Sequence, residues 1–211
     1  MSGTIALLGG GPFVANDDLD RRLIAMSGAT SVVVLPTADA FEHPGRLIDT
    51  ARSWGERLGV AVDGRMVLRR ADANDAGHAA AVQGARMVYL SGDSPLHLRS
   101  VLKDTAVFDG LRAVIANGGV VAATGASAAC LCDPMTDPRG GAFSLGLGLV
   151  DGLAILPESE TWSPERLHRT LALANGFAVA VLATGSALLR TGSSWETVGE
   201  AEVHGELISS P

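Results

Sequence analysis

Short runs of consecutive apolar residues alternate along this chain with longer segments in which apolar positions recur every three or four residues. A continuous run suits a strand covered on both faces, and the longer period suits a helix lying on a sheet. Thr4 to Leu8 is such a run, closed by Gly9-Gly10-Gly11-Pro12, after which Asp17 or Asp18 caps a helix carrying Leu23, Ile24 and Met26. Ser31 to Leu35 predicts a second strand, followed by Pro36-Thr37-Ala38-Asp39 and a helix with Leu47, Ile48, Ala51, Trp54 and Leu58 on one side. Met66 to Leu68 reads as a weaker strand, Asp75 to Gln83 as a helix, Met87 to Leu90 as a strand and Pro95 to Leu102 as a helix. Val107 to Ala116 is a further helix leading to a strand at Val120. The alternation predicts an α/β fold, a doubly wound and mostly parallel sheet with helices on both faces.

Beyond Asp133 the pattern changes. Gly140 to Gly148 is glycine-rich, Leu153 to Leu156 is a short strand, and Ser163-Pro164-Glu165 opens a helix running to Ala174. Phe177 to Leu182, Ala187 to Arg190, Glu196 to Val198 and Glu202 to His204 predict a short β meander closing one edge of the sheet. Ligands of such sheets bind beyond the carboxyl ends of the strands, so the loops after Leu8, Leu35, Leu90, Thr124 and Leu156 are expected on one rim.

With 211 residues, 47% of them hydrophobic, the chain is expected to form one domain over residues 1–211. A net charge of -7 with scattered Lys and Arg argues against nucleic acid or an anionic membrane as partner. Met1 to Leu8 has no basic region and too short an apolar run for a signal peptide, so a cytoplasmic protein is expected. Cys130 and Cys132 are too close in sequence to bridge one another and are expected as buried thiols. No His and Cys cluster has metal-ligand spacing, so neither metal nor cofactor is expected. Gly9-Gly10-Gly11 is a poor phosphate loop, because Pro12 lacks an amide hydrogen and Val14 stands where a dinucleotide fingerprint has glycine. Trp162 and Trp195, in the β-rich end, suit a homodimer contact or a place in the core.

The stretch from Gly119 to Cys130 offers the clearest candidate chemistry. A short apolar run ends in a turn and restarts as an Ala-rich helix, with Ser127 at Gly125-Ala-Ser-Ala-Ala129. A hydroxyl on a cramped strand-to-helix turn can attack a carbonyl, and the pattern is one substitution from Gly-x-Ser-x-Gly. A serine in a small-residue packing seam satisfies the same pattern.

The order Gly9-Gly-Gly11, Val33-Val-Leu-Pro-Thr-Ala38, Tyr89-Leu-Ser-Gly-Asp-Ser94 and the serine turn resembles the dipeptidase E and cyanophycinase family of serine peptidases. Gly146-Leu-Gly-Leu149 and the terminal β segment extend the likeness. The resemblance implies a flavodoxin-like sheet of the class I glutamine amidotransferase type, with serine at the elbow in place of cysteine. It implies Ser127 as nucleophile, with the amides of Gly92 and Ala128 holding the oxyanion, each worth about 3 kcal/mol in the transition state. The family's histidine falls where this chain reads Ile155-Leu-Pro-Glu-Ser-Glu160, and its acidic stretch falls on Leu182-Ala-Thr-Gly-Ser-Ala187, so both partners are missing. Replacement bases are His97, Glu158 and Glu160, a buried glutamate being raised toward the working range. His43 sits on the loop after the second strand, near the rim, His168 reads as part of a solvated helix face, and His78 and His204 read as remote from the rim. Two functions follow: a serine-peptidase-like hydrolase of a peptide or small amide with a relocated base, or a noncatalytic relative that binds a ligand or protein partner in the same cleft.

Overall fold

The continuous apolar runs become the inner strands of a sheet in the computed structural model, which describes residues 2–208. The first half alternates β1 (Thr4–Leu8), α1 (Asp17–Ser27), β2 (Ser31–Leu35), α2 (Pro44–Leu58), β3 (Ala61–Gly64), α3 (Arg70–Ala73), α4 (Ala76–Gln83), β4 (Met87–Leu90), α5 (Pro95–Leu102), α6 (Ala106–Ala116) and β5 (Val120–Thr124). Then come α7 (Ala126–Leu131) and the short strands β6 (Cys132–Asp133), β7 (Met135–Thr136), β8 (Phe143–Ser144) and β9 (Val150–Asp151). The last elements are β10 (Leu153–Leu156), α8 (Pro164–Leu173), β11 (Ala178–Leu182), β12 (Ala187–Thr191), β13 (Ser194–Val198) and β14 (Ala201–His204).

The main sheet has the order β13-β12-β1-β5-β4-β2-β3, parallel from β1 to β3 and antiparallel where β12 and β13 join. Alternate residues of each inner strand serve opposite layers. Ile5, Leu7, Val88, Leu90, Val121 and Ala123 pack with Phe108, Leu111 and Ala128 on one face. Ala6, Leu8, Val34, Tyr89 and Ala122 pack with Leu23, Ile48 and Trp54 on the other. Both faces being covered explains why these strands lack polar alternation. In register, Leu8 lies beside Thr124 and Leu90 beside Ala123, so β1, β4 and β5 release their loops at one rim.

Three expectations need correction. The third strand is Ala61–Gly64, not Met66 to Leu68; its residues are half-buried to exposed, as an edge position allows, and so gave no apolar run. The apolar signal came from Val67, which leaves the sheet yet is fully buried in the core. The terminal strands divide: β12 and β13 extend the main sheet, whereas β11 and β14 join β10 in a second sheet of order β10-β11-β14. Neither Asp17 nor Asp18 caps α1. Asn16 precedes it without a side-chain cap, its amide nitrogen instead donating to the carbonyls of Gly10 and Gly11 at 2.9 and 3.0 Å. At α8 the expected device is present, with Pro164 in the first turn and the Ser163 hydroxyl accepting from the Arg166 amide.

One buried carboxyl links this packing to pH. Asp20 of α1 is fully buried and accepts a 2.9 Å hydrogen bond from Trp54 Nε1. Burial pushes its pKa up to about 7, outweighing the Trp54 bond, with nearby Asp17 adding to the rise. A carboxyl raised in the folded state binds its proton more tightly there than in the unfolded chain. Its contribution is therefore fully present below the unfolded value of 3.8 and is lost as pH rises toward about 7. The loss reaches about 4 kcal/mol at most. Urea denaturation should show lower stability at pH 8 than at pH 5, and Asp20→Asn should shrink that difference; equal pH dependence in both proteins would dissociate Asp20 from the effect.

Candidate functional site

At the end of β5 the chain reverses sharply into α7, and the residue in the bend is Gly125, with φ 58° and ψ -128°. Its amide donates to Leu8 of the neighbouring strand at 2.9 Å, and its carbonyl receives the Ala129 amide at 3.2 Å. A Cβ placed on Gly125 would meet no atom within 4 Å beyond its chain neighbours. This is the position from which a side chain would project clear of the backbone, and it carries none.

Ser127 lies two residues further on, inside the first turn of α7. Two residues of helix correspond to a rotation of roughly 200°, so a side chain there points away from the side that the bend faces. Ser127 is fully buried, and its hydroxyl donates to the carbonyl of Gly92 at 3.0 Å. The expected placement of Ser127 on the elbow is thus corrected: the serine ties the helix to the loop after β4. Gly92 has φ 118°, and a Cβ on it would fall 2.5 Å from the Asp39 nitrogen, so the loop fits only with glycine here. Ala128 is fully buried within α7.

Beside the bend is a cavity of about 190 Å³, whose walls include Asp93, Ala126, Thr136, Glu158, Trp162 and Arg166. Ser127, Gly92 and Ala128 are not among its lining residues. Trp162 Nε1 donates to the Pro157 carbonyl at 3.0 Å, and the Arg166 guanidinium sits 3.9 Å over the Trp162 ring while donating to the Pro138 carbonyl at 2.6 Å. Trp162 is therefore a cavity wall, half-buried; Trp195, also half-buried, lies under Arg190 at 5.6 Å.

Of the three candidate bases, Glu158 reaches this cavity. It sits at φ 49° on the turn after β10, with its amide donating to Gly9 at 3.0 Å. A Cβ on Gly10 would come 2.7 Å from Glu158 Cγ, so the glycine turn after β1 makes room for this side chain. Burial raises the Glu158 carboxyl above its ordinary value, and the neighbouring charges of Asp93 and Glu160 raise it further. Glu160 is turned elsewhere: its carboxylate accepts from the hydroxyl and the amide of Thr184, and the hydroxyl bond first of all holds it below the usual range. His97 does not reach the cavity, its Nε2 lying 2.9 Å from the Leu68 carbonyl and its ring against Phe41 at 4.5 Å. Both thiols are buried as expected; burial pushes each pKa far up, and Cys130 points at the Pro95 carbonyl.

The sequence pattern left the register of the bend ambiguous. Small residues flank position 127 at Gly125 and Ala129, but they flank position 125 equally well at Ala123 and Ser127. The strand's end at Thr124 decides for 125. Arg166 and Thr136 gave no signal, because their role depends on which loops meet.

No family model matches the chain, and no curated protein matches it. Solved structures do. A peptidase from an acI-B1 actinobacterium superimposes with a TM-score of 0.84 at 23% identity, over 100% of this chain and 93% of the other. A candidate peptidase E protein from Listeria monocytogenes EGD-e matches with a TM-score of 0.73 at 17% identity, over 94% of this chain and 98% of the other. The chain has a dipeptidase E-like fold. Among the described residues no helix is long and apolar enough to cross a membrane, and no group of three or more His, Cys, Asp or Glu could hold a metal ion.

Two substitutions separate the tie from the bend. Ser127→Ala should destabilise the fold by about 1 to 2 kcal/mol, since the Gly92 carbonyl loses a buried donor. Gly125→Ser should fold and cost about 1 to 3 kcal/mol from its positive φ alone. Both are read from urea denaturation midpoints.

Proposed function

We propose that this protein uses a peptidase E-like scaffold to bind a peptide or small amide ligand in the cavity beside Gly125, without serine-dependent cleavage. One observation carries the reading: the residue in the strained strand-to-helix bend is a glycine, and the nearest serine gives its hydroxyl to a backbone carbonyl in the interior. Nucleophilic catalysis needs an accessible oxygen with a base within about 3.5 Å. Ser127 is fully buried and hydrogen-bonded to Gly92, and neither His97 nor Glu160 faces the cavity. Asp93, Glu158, Trp162 and Arg166 supply the mixed polar and aromatic lining typical of a small-molecule site.

The fold likeness to peptidases supports a second reading, in which Ser127 attacks, the amides of Gly92 and Ala128 hold the oxyanion, and Glu158 is the base. It requires the Ser127 hydroxyl to leave Gly92 and the first turn of α7 to open. A fluorophosphonate probe distinguishes the two. The binding reading expects no labelling that depends on Ser127, together with a saturable change in tryptophan fluorescence when short peptides are added. Covalent labelling of the wild type that disappears in Ser127→Ala would establish the hydrolase instead.

A further inference from the structure

A larger groove lies at the opposite end of the sheet from the cavity beside Gly125. It is bounded by the start of β1 at Gly3 and Ile5, the end of α6 at Arg112 and Ile115, the segment at Leu149 and the turn between β12 and β13 at Gly192. β1 runs from this end toward the rim and antiparallel β12 returns to it, which places the groove at the amino ends of the parallel strands. We propose that this groove binds a small organic oxyanion, a carboxylate or phosphate carried on an apolar body, and that Arg112 grips the anionic group.

The charge of the groove sets it apart from the rest of the chain. The sequence carries a net charge of -7, yet the groove is lined by Arg112 and Arg190 and by no Asp or Glu. Lys103 adds to the positive field, since a Cβ placed on the wall residue Gly148 would lie 4.0 Å from its Nζ. The acidic groups close by are Asp151, 3.2 Å from the same point, and Asp109, one helical turn before Arg112. Arg190 is already engaged, with Nε donating to the Gly192 carbonyl at 3.2 Å and its guanidinium 5.6 Å over Trp195, so it contributes a fixed charge. Arg112 differs. It is exposed, its guanidinium lies 4.6 Å over the ring of buried Phe108, and among the described residues it makes no hydrogen bond or ion pair. Stacking fixes the plane of a guanidinium while leaving its N–H edge for two-point contact with an oxyanion. The negative end of α6 does not oppose this, because the carbonyls of Ala113, Val114 and Ile115 accept the amides of Asn117, Gly119 and Gly118.

Ile5, Ile115 and Leu149 give the groove an apolar floor continuous with the core. Its volume of about 770 Å³ falls within the roughly 300–1,000 Å³ of small-molecule sites, which suits an anion with a body and not a bare inorganic ion.

The test is an NMR titration of the full chain with phenylacetate, phenyl phosphate, 2-phenylethanol and acetate, following the backbone amides of Gly3, Ile115 and Gly192. The expected result is that at least one of the two aromatic anions shifts these amides saturably, with a dissociation constant of about 1 mM or below. The neutral alcohol and acetate should bind at least about tenfold more weakly, and Arg112→Gln should weaken the aromatic anion by about tenfold. The tighter of the two aromatic anions identifies the head group. Arg112→Gln removes no hydrogen bond within the described protein, and its urea midpoint checks that it folds. Glu158→Gln, in the other cavity, should leave the affinity unchanged. No saturable shift with either aromatic anion, equal binding of 2-phenylethanol, or an affinity indifferent to Arg112→Gln would overturn the site. So would a loss in Glu158→Gln as large as that in Arg112→Gln, which would move the binding to the other cavity. Acetate binding as tightly as phenylacetate would overturn the apolar part of the assignment.

Discussion

The hydroxyl of Ser127 donating to the carbonyl of Gly92 joins the two loops on which the cavity is built. One loop is the sharp turn leaving β5, the other the segment leaving β4, and both strands run in the middle of the sheet. Because Gly92 presses against Asp39 and Ala38, the same bond also fixes these loops relative to the segment after β2. The bond sits in a fully buried environment, where an unpaired carbonyl would be costly. A hydroxyl committed in this way is a structural strut.

What the strut positions is a bend whose turning residue, Gly125, is buried and carries no side chain. The elbow geometry in other proteins serves to thrust a nucleophile out of a sheet, and its steric requirement is small residues on both sides. Here the geometry is present while Gly125 leaves the space in front of it open. The cavity beside the bend, which Ala126 lines, is bounded by carboxylates from Asp93 and Glu158, an aromatic face from Trp162 and a guanidinium held over that face and by the Pro138 carbonyl. Glu158 reaches it because Gly10 has no side chain, which gives the glycine turn after β1 a packing role in place of a phosphate-binding one.

The fold was legible where strands are buried on both faces. The runs Thr4–Leu8, Ser31–Leu35, Met87–Leu90 and Leu153–Leu156 coincide with observed strands, and Pro95–Leu102 with a helix. Legibility failed at edges. Ala61–Gly64 pairs with one neighbour only and is half-buried at most, so it needs no apolar run, while Val67 is buried without being in a strand. The terminal segments were correctly read as strands, but which sheet each joins depends on partners distant in sequence, as with β11 pairing with β10 and β14.

The amino-acid sequence by itself determined the alternation of strands and helices, the rim where their loops gather and the small-residue turn at that rim, because these follow from local periodicity and from backbone freedom at glycine. Only the tertiary structure decided which residue of that turn stands at the bend. A shift of two positions leaves the pattern of small residues unchanged but moves the side chain from the bend into the first turn of a buried helix. The same holds for Asp93, Thr136, Glu158 and Arg166, which converge from four separate segments: their meeting is a property of chain packing, and no spacing along the sequence encodes it.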